Sequence, residues 1–192
     1  MQNACLHLET RLADPGVAAA LMSEVNAYDF ANILAPCPKS QPAPAVPSPA
    51  AAAEMVWRDQ MRLPPPEPYI APGKGIPGLA AFLEIRGPRA RTQTFNVFGY
   101  ALTITATATS YDVDWGDGTW TRGVTSPGGP WPDGDVRHVY TVAGTYTVTV
   151  VEHWTGNWSV AGGGGGTVVG TLSTEGRIDA FPVEQLQAVR NR

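Results

Sequence analysis

Residues 101–110, ALTITATATS, set Leu102, Ile104 and Ala106 in alternation with Thr103 and Thr105. The same rhythm returns twice. In SYDVDW, Tyr111, Val113 and Trp115 alternate with Asp112 and Asp114, and in GTYTVTVV, Tyr146, Val148 and Val150 alternate with Thr145, Thr147 and Thr149. Period-two alternation sends one set of side chains to each face of a strand. Separated by Asp-Gly, Pro-Gly and Ala-Gly turn pairs, these segments predict an antiparallel sandwich or barrel. Further short strands are expected near TVVGTL and RIDAFPV, while AGGGGG at 161–166 reads as a flexible loop tip.

Upstream the pattern is different. Within 14–34, Asp14 suits an N-cap, Pro15 suits the first helical position, and Val17, Leu21, Val25 and Tyr28 recur at helical spacing. A helix with an apolar stripe is therefore predicted, and that stripe needs a partner. Then comes PCPKSQPAPAVPSP, in which proline fixes φ and restricts each preceding residue, so the segment reads as an extended tether. An Ala-rich helix is expected over roughly 50–62, stopped by LPPPEP. The resulting organisation is a helical arm over 1–35, a Pro/Ala-rich linker and approach over 36–90, and a β unit over 91–192.

Composition narrows the function classes. The 192 residues are 43% hydrophobic and only 16% charged, with a formal net charge of −4. Such mild acidity, without a Lys/Arg cluster, offers no footprint for nucleic acid. No run of about 18 apolar residues predicts a membrane span. The first residues, MQNACLHLET, show neither the basic nor the apolar region of an export signal. Cys5 and Cys37, the only two cysteines, read either as one disulfide of an exported protein or as two unrelated thiols.

YDVDWGDGT at 111–119, followed by HVYTVAGTYTVTV at 138–150, resembles the PKD domain, an immunoglobulin-like β-sandwich. The first half of that signature is shortened here to Trp115-Gly116-Asp117-Gly118. The second matches at His138, Tyr140, Gly144, Tyr146, Val148 and Val150. More loosely, LPPPEPYIAPGKGIPGLAAFLEI, TSPGGPW, WTGNWSVAGG and FPVEQLQAV, within about residues 57–190, together look like actinobacterial cell-envelope proteins carrying a PKD module. The resemblance implies a mainly β fold with Trp115 and Val113 inside, and a Tyr140 hydroxyl bonded to upstream backbone as in the tyrosine corner of related sandwiches. His138 is expected to hydrogen-bond in the same turn region, and Asp117 to cap local N–H groups.

Asp112, Asp114 and Asp117 could offer three oxygens to calcium, but that ion takes about six to eight and the spacing is not that of an EF-hand. They read as turn-capping or solvated carboxylates, and neither a metal nor a cofactor is expected. Asp112 and Asp114 lack the opposing wall that glycoside hydrolysis needs. No G-x-S-x-G elbow accompanies His7, His138 and His153, and the glycine run lacks the lysine of a phosphate loop. Trp120, Trp131, Trp154 and Trp158 are too many for a small core, and Trp120 and Trp131 lie among turn residues. Exposed tryptophans serve protein contacts or stack on sugars, so Trp120, Trp131 and Trp158 are the candidate binding residues.

The expectation is a non-enzymatic structural or interaction module with a protein partner or its own copies, extracellular or in the cell envelope. Two alternatives stand beside it: a decoration protein of a phage or other particle, and an accessory carbohydrate-binding module.

Overall fold

The computed structural model describes residues 45–185. The helix expected over 14–34 and both cysteines lie outside the described residues. Helix α1, Pro49–Asp59, starts where Ser48 accepts the Ala51 N–H at 3.3 Å, with proline at its first position. Its Ala52, Ala53, Val56 and Trp57 are buried. The Ala-rich helix expected over 50–62 is therefore present and slightly shorter.

Nine strands follow: β1 (Glu67–Ile70), β2 (Ala80–Arg86), β3 (Ala90–Val97), β4 (Tyr100–Asp114), β5 (Trp120–Val124), β6 (Arg137–Val139), β7 (Gly144–Val160), β8 (Gly165–Thr167) and β9 (Leu172–Val183). All pair antiparallel, in two sheets. One runs β1-β2-β6; the other runs β3-β4-β7-β8, with β5 also on β4 and β9 also on β7. The protein is thus mainly β with one short helix among the described residues. Its two sheets share a core, an arrangement consistent with a β-sandwich.

Three boundaries differ from the sequence reading. ALTITATATS and SYDVDW, taken as separate segments, form one 15-residue strand. A bulge where the register shifts between Ala108 and Ser110 joins them. One extra residue flips the face of every later side chain, so the buried set passes from Leu102, Ile104 and Ala106 to Tyr111 and Val113. The packed unit also begins well before residue 91: Ile70, Leu83 and Ile85, in the stretch assigned to linker and approach, are buried with Trp115 and Val150. Finally, Gly165 and Gly166 are not loop tip but paired strand, opposite Ser159 and Trp158, because β7 extends far enough to offer them an edge.

The interior is two clusters along the long strands β4 and β7. The first joins both sheets through Ile70, Leu83, Tyr111, Val113, Trp115, Tyr140, Val150 and Phe181. The second sets Val56, Trp57 and Met61 of α1 and its exit against Leu102, Ile104 and Trp154. Among the described residues no helix is long and apolar enough to cross a membrane.

Candidate functional site

Three groups of side chains carry the chemistry. The first is the turn after β4. Period-two alternation turns Trp115 inward, where it is buried, and leaves Asp114 and Asp117 at the turn. Gly116 has φ +78°, and a Cβ there would sit 2.4 Å from the Thr147 carbonyl oxygen, so only glycine fits. Asp114 accepts the Gly116 N–H at 2.9 Å. Asp117 accepts from the Thr119 N–H at 3.0 Å and hydroxyl at 2.6 Å. Its second oxygen lies 2.7 Å from His138 Nε2. Burial alone would raise the Asp117 carboxyl, but Thr119 and His138 outweigh it and hold it below the ordinary value of 3.8.

His138 stacks on Trp115 with centroids 4.9 Å apart and meets Tyr140 edge-on at 4.7 Å. Tyr140 donates its hydroxyl to the Trp115 carbonyl at 3.0 Å, and burial pushes the phenol's pKa well up. The two halves of the motif, some twenty residues apart in sequence, are thus in direct contact. Asp117 and His138 Nε2 are thus engaged with each other and with Thr119 in holding the turn.

The second group was missed in the sequence. Asp112 on β4, His153 on β7 and Ser173 on β9 lie in line across the outer sheet face. His153 Nε2 is 3.2 Å from Asp112 Oδ2, and its Nδ1 is 3.3 Å from Ser173 Oγ. The constituents are those of a nucleophile triad. Asp112, however, spends its other oxygen on the Gly123 N–H at 2.7 Å, the main cause of its lowered pKa. None of the three lines the groove described below. The line ties β4, β5, β7 and β9 together. Alternation does place Asp112 and His153 outward; their meeting depends on cross-strand register, which no local pattern encodes.

The third group is apolar. A groove of about 610 Å³ is lined chiefly by Pro72, Ile76, Leu79, Phe82, Pro130 and Trp131, with Lys74 as its charged residue. Trp131 is 72% exposed and Leu79 57%. Lys74 pairs with Glu184 at 3.5 Å.

Of the candidate tryptophans, Trp120 and Trp158 lie far apart. Trp120 begins β5, 45% exposed, under the Arg122 guanidinium at 4.4 Å from its ring. Trp158 is partly buried against the second cluster, and Trp154 is fully buried. Trp120 pairs with Asp114 and Trp158 with Ile104, ten residues apart along β4, or about 33 Å at the usual strand rise. Trp120 and Trp158 therefore cannot share one sugar platform. Asp112, Asp114 and Asp117 each have separate partners, and among the described residues no group of three or more His, Cys, Asp or Glu is placed to hold a metal ion.

No family model matches the chain, and no curated protein matches its sequence.

Proposed function

We propose that this chain is a non-enzymatic structural and interaction module, built on an immunoglobulin-like sandwich of PKD type and acting through protein–protein contacts. The observation that carries the reading is the division of labour on its surface. Asp117 and His138 are bonded to each other in the turn, and Asp112 to Gly123 and His153 across the strands, whereas Trp131 and Leu79 stand exposed around an apolar groove. Apolar surface of that kind, with Lys74 as its one charged lining residue among those described, suits a binding partner better than a reaction.

The PKD-type assignment is supported by the contact of the two motif halves through Trp115, His138 and Tyr140. Strand placement supports it too: β1, β2 and β6 face β4, β7 and β9, as the A, B, E and C, F, G strands do in such sandwiches. The setting we propose is the cell surface or envelope, with a particle surface as the alternative.

The test is affinity capture with the full chain as bait, run beside a Leu79→Ser/Trp131→Ala variant of unchanged melting temperature. A partner held by the wild type and lost by the variant is the expected result. Equal capture by both would remove the groove from this reading. A glycan-array signal abolished by Trp120→Ala or Trp131→Ala would move the function to carbohydrate binding.

A further inference from the structure

We infer that the outer edge of β3 is a docking edge for a second copy of this chain, the two β3 strands pairing antiparallel across a two-fold axis. This deepens the interaction-module reading and rests on it.

Strand edges expose unpaired N–H and C=O groups, and proteins usually blunt them with short length, prolines, charges, bulges or a covering segment. Here the other edges follow that rule. β6 and β8 have three residues each, and β1 has four with Pro68 among them. β5 is five residues long, contains Gly123, and pairs through a register shift. β9 is long but carries Glu175, Arg177, Asp179 and Pro182, with a bulge opposite Tyr146 and Val148. Its end is covered as well: Gly75 donates to the Pro182 carbonyl at 2.8 Å and accepts the Glu184 N–H at 3.0 Å.

Among the described residues, β3 has none of these devices over its last six residues, Thr-Gln-Thr-Phe-Asn-Val. Its register with β4 is unbroken from Ala90 opposite Thr107 to Val97 opposite Tyr100. The turn between them is the residue pair Phe98-Gly99, with φ of 51° and 82°, the two-residue type that fixes hairpin register.

The hydrogen-bond phase shows which groups point outward. In such a hairpin the residues flanking the turn, Val97 and Tyr100, exchange hydrogen bonds, and alternate pairs follow. Ala108 N–H donates to the Arg89 carbonyl at 2.9 Å, in the same phase. The even residues therefore form the closer, non-hydrogen-bonded pairs with β4. The hydroxyl contacts Thr92–Thr105 at 3.0 Å and Thr94–Thr103 at 2.9 Å agree. It follows that the backbone N–H and C=O groups of Ala90, Thr92, Thr94 and Asn96 face away from β4, and among the described residues no other strand pairs with β3.

That set is self-complementary. With the axis at Gln93, Thr92 faces the partner's Thr94, Ala90 faces the partner's Asn96, and Arg91 faces the partner's Phe95. All four outward residues then exchange backbone hydrogen bonds, and no like charges stand opposite. The threonine rows on the outer face continue into the partner. A two-fold contact also closes on itself and leaves no free β3 edge, so assembly stops at the dimer. Extending a sheet by an added strand is an established way to bind through main-chain groups.

The test uses the full chain in sedimentation velocity and light scattering over a concentration series, with amide hydrogen exchange read at single residues. A mass twice that of the chain is expected, with exchange at Thr92, Thr94 and Asn96 slowing as dimer forms. Thr94→Pro, which removes an outward N–H that the fold does not use, is expected to return the monomer. Thr92→Lys/Thr94→Lys sets like charges opposite across the axis and should do the same, whereas Thr92→Lys/Thr94→Glu should restore the dimer. A chain monomeric up to millimolar concentration would overturn the inference while leaving the groove reading intact. So would a dimer indifferent to these variants, or edge protection that does not depend on concentration, which would place the covering strand within the same chain.

Discussion

The two hydrophobic clusters are strung on the same pair of strands yet differ in construction. Around Trp115, a second sheet closes the core and polar atoms on the aromatic rings find partners: Trp115 Nε1 donates to Thr121 Oγ1 at 2.9 Å, and the Tyr140 hydroxyl to the Trp115 carbonyl. Around Trp154, a helix of 11 residues closes the core. Trp154 Nε1 has Thr174 Oγ1 at 2.9 Å, but Trp57 Nε1, on the helix side, is buried with no partner among the described residues. Between the two sits Glu152, 3% exposed on the inward face of β7, with Thr174 Oγ1 at 3.4 Å. The difference teaches that the strands alone do not set stability along their length; what covers them does. The sheet-covered cluster forms the main fold, and the helix-covered cluster is a local extension of it.

Trp115→Ala is the largest blow to this contrast. Removing a fully buried tryptophan typically costs about 3–5 kcal/mol, much of the ~5–15 kcal/mol that a domain holds in reserve. Denaturant unfolding should show cooperative loss of both clusters. Gly156→Ala attacks only the second, since its Cβ would come within 2.7 Å of the Trp57 ring and 2.8 Å of Val168. Overpacking of this kind costs about 1–3 kcal/mol. Hydrogen exchange should accelerate in 49–59 and leave 146–150 protected; uniform acceleration would show the clusters to be one unit.

Paired tryptophan changes sharpen the comparison further. Trp154→Phe removes a satisfied hydrogen bond and should cost about 1–3 kcal/mol including the lost ring volume. Trp57→Phe removes an unsatisfied N–H along with similar volume, so it should cost clearly less in the same unfolding assay.

The smallest effect is at the boundary and depends on pH. Burial first of all, against weaker help from Thr174 and Tyr111, pushes the Glu152 carboxyl above its ordinary 4.5. The folded state then holds this proton to higher pH than the unfolded one, so stability falls as pH rises from the ordinary glutamate range through the raised value. Glu152→Gln should raise the melting temperature by a few degrees at neutral pH, with the gain vanishing toward pH 4. Asp112 and Asp117 have the opposite sign. Their lowered values contribute stability that is complete above 3.8 and lost as pH falls through their folded values. A melting profile from pH 2 to 8 with Glu152→Gln beside the wild type separates the two contributions.

Much of this was legible. Alternation alone puts Val113 and Trp115 inward and Asp112 and Asp114 outward, and carried along β7 it also puts Glu152 and Trp154 on the buried face. The change of phase between Ala106 and Tyr111 is itself the mark of the bulge that joins two strand segments into one. β1 and β2 were harder to see, because Glu67–Ile70 is short and Ala80–Arg86 is buried at three consecutive residues, Ala81 to Leu83, which erases the two-fold rhythm.

By itself, then, the sequence determined that 101–115 and 144–151 form strand, which face of each segment is apolar, and that the Trp-Gly-Asp-Gly turn needs its glycines and its aspartate. These follow from local chemistry: side-chain alternation, positive φ and short-range hydrogen bonds. Tertiary structure alone decided that Ser173, His153 and Asp112 fall in line, that a helix seals a second core, that Trp120 and Trp158 stand apart, and that among the described residues β3 keeps an open edge. Each of those depends on register and on what packs over a strand, and neither is set within the strand itself.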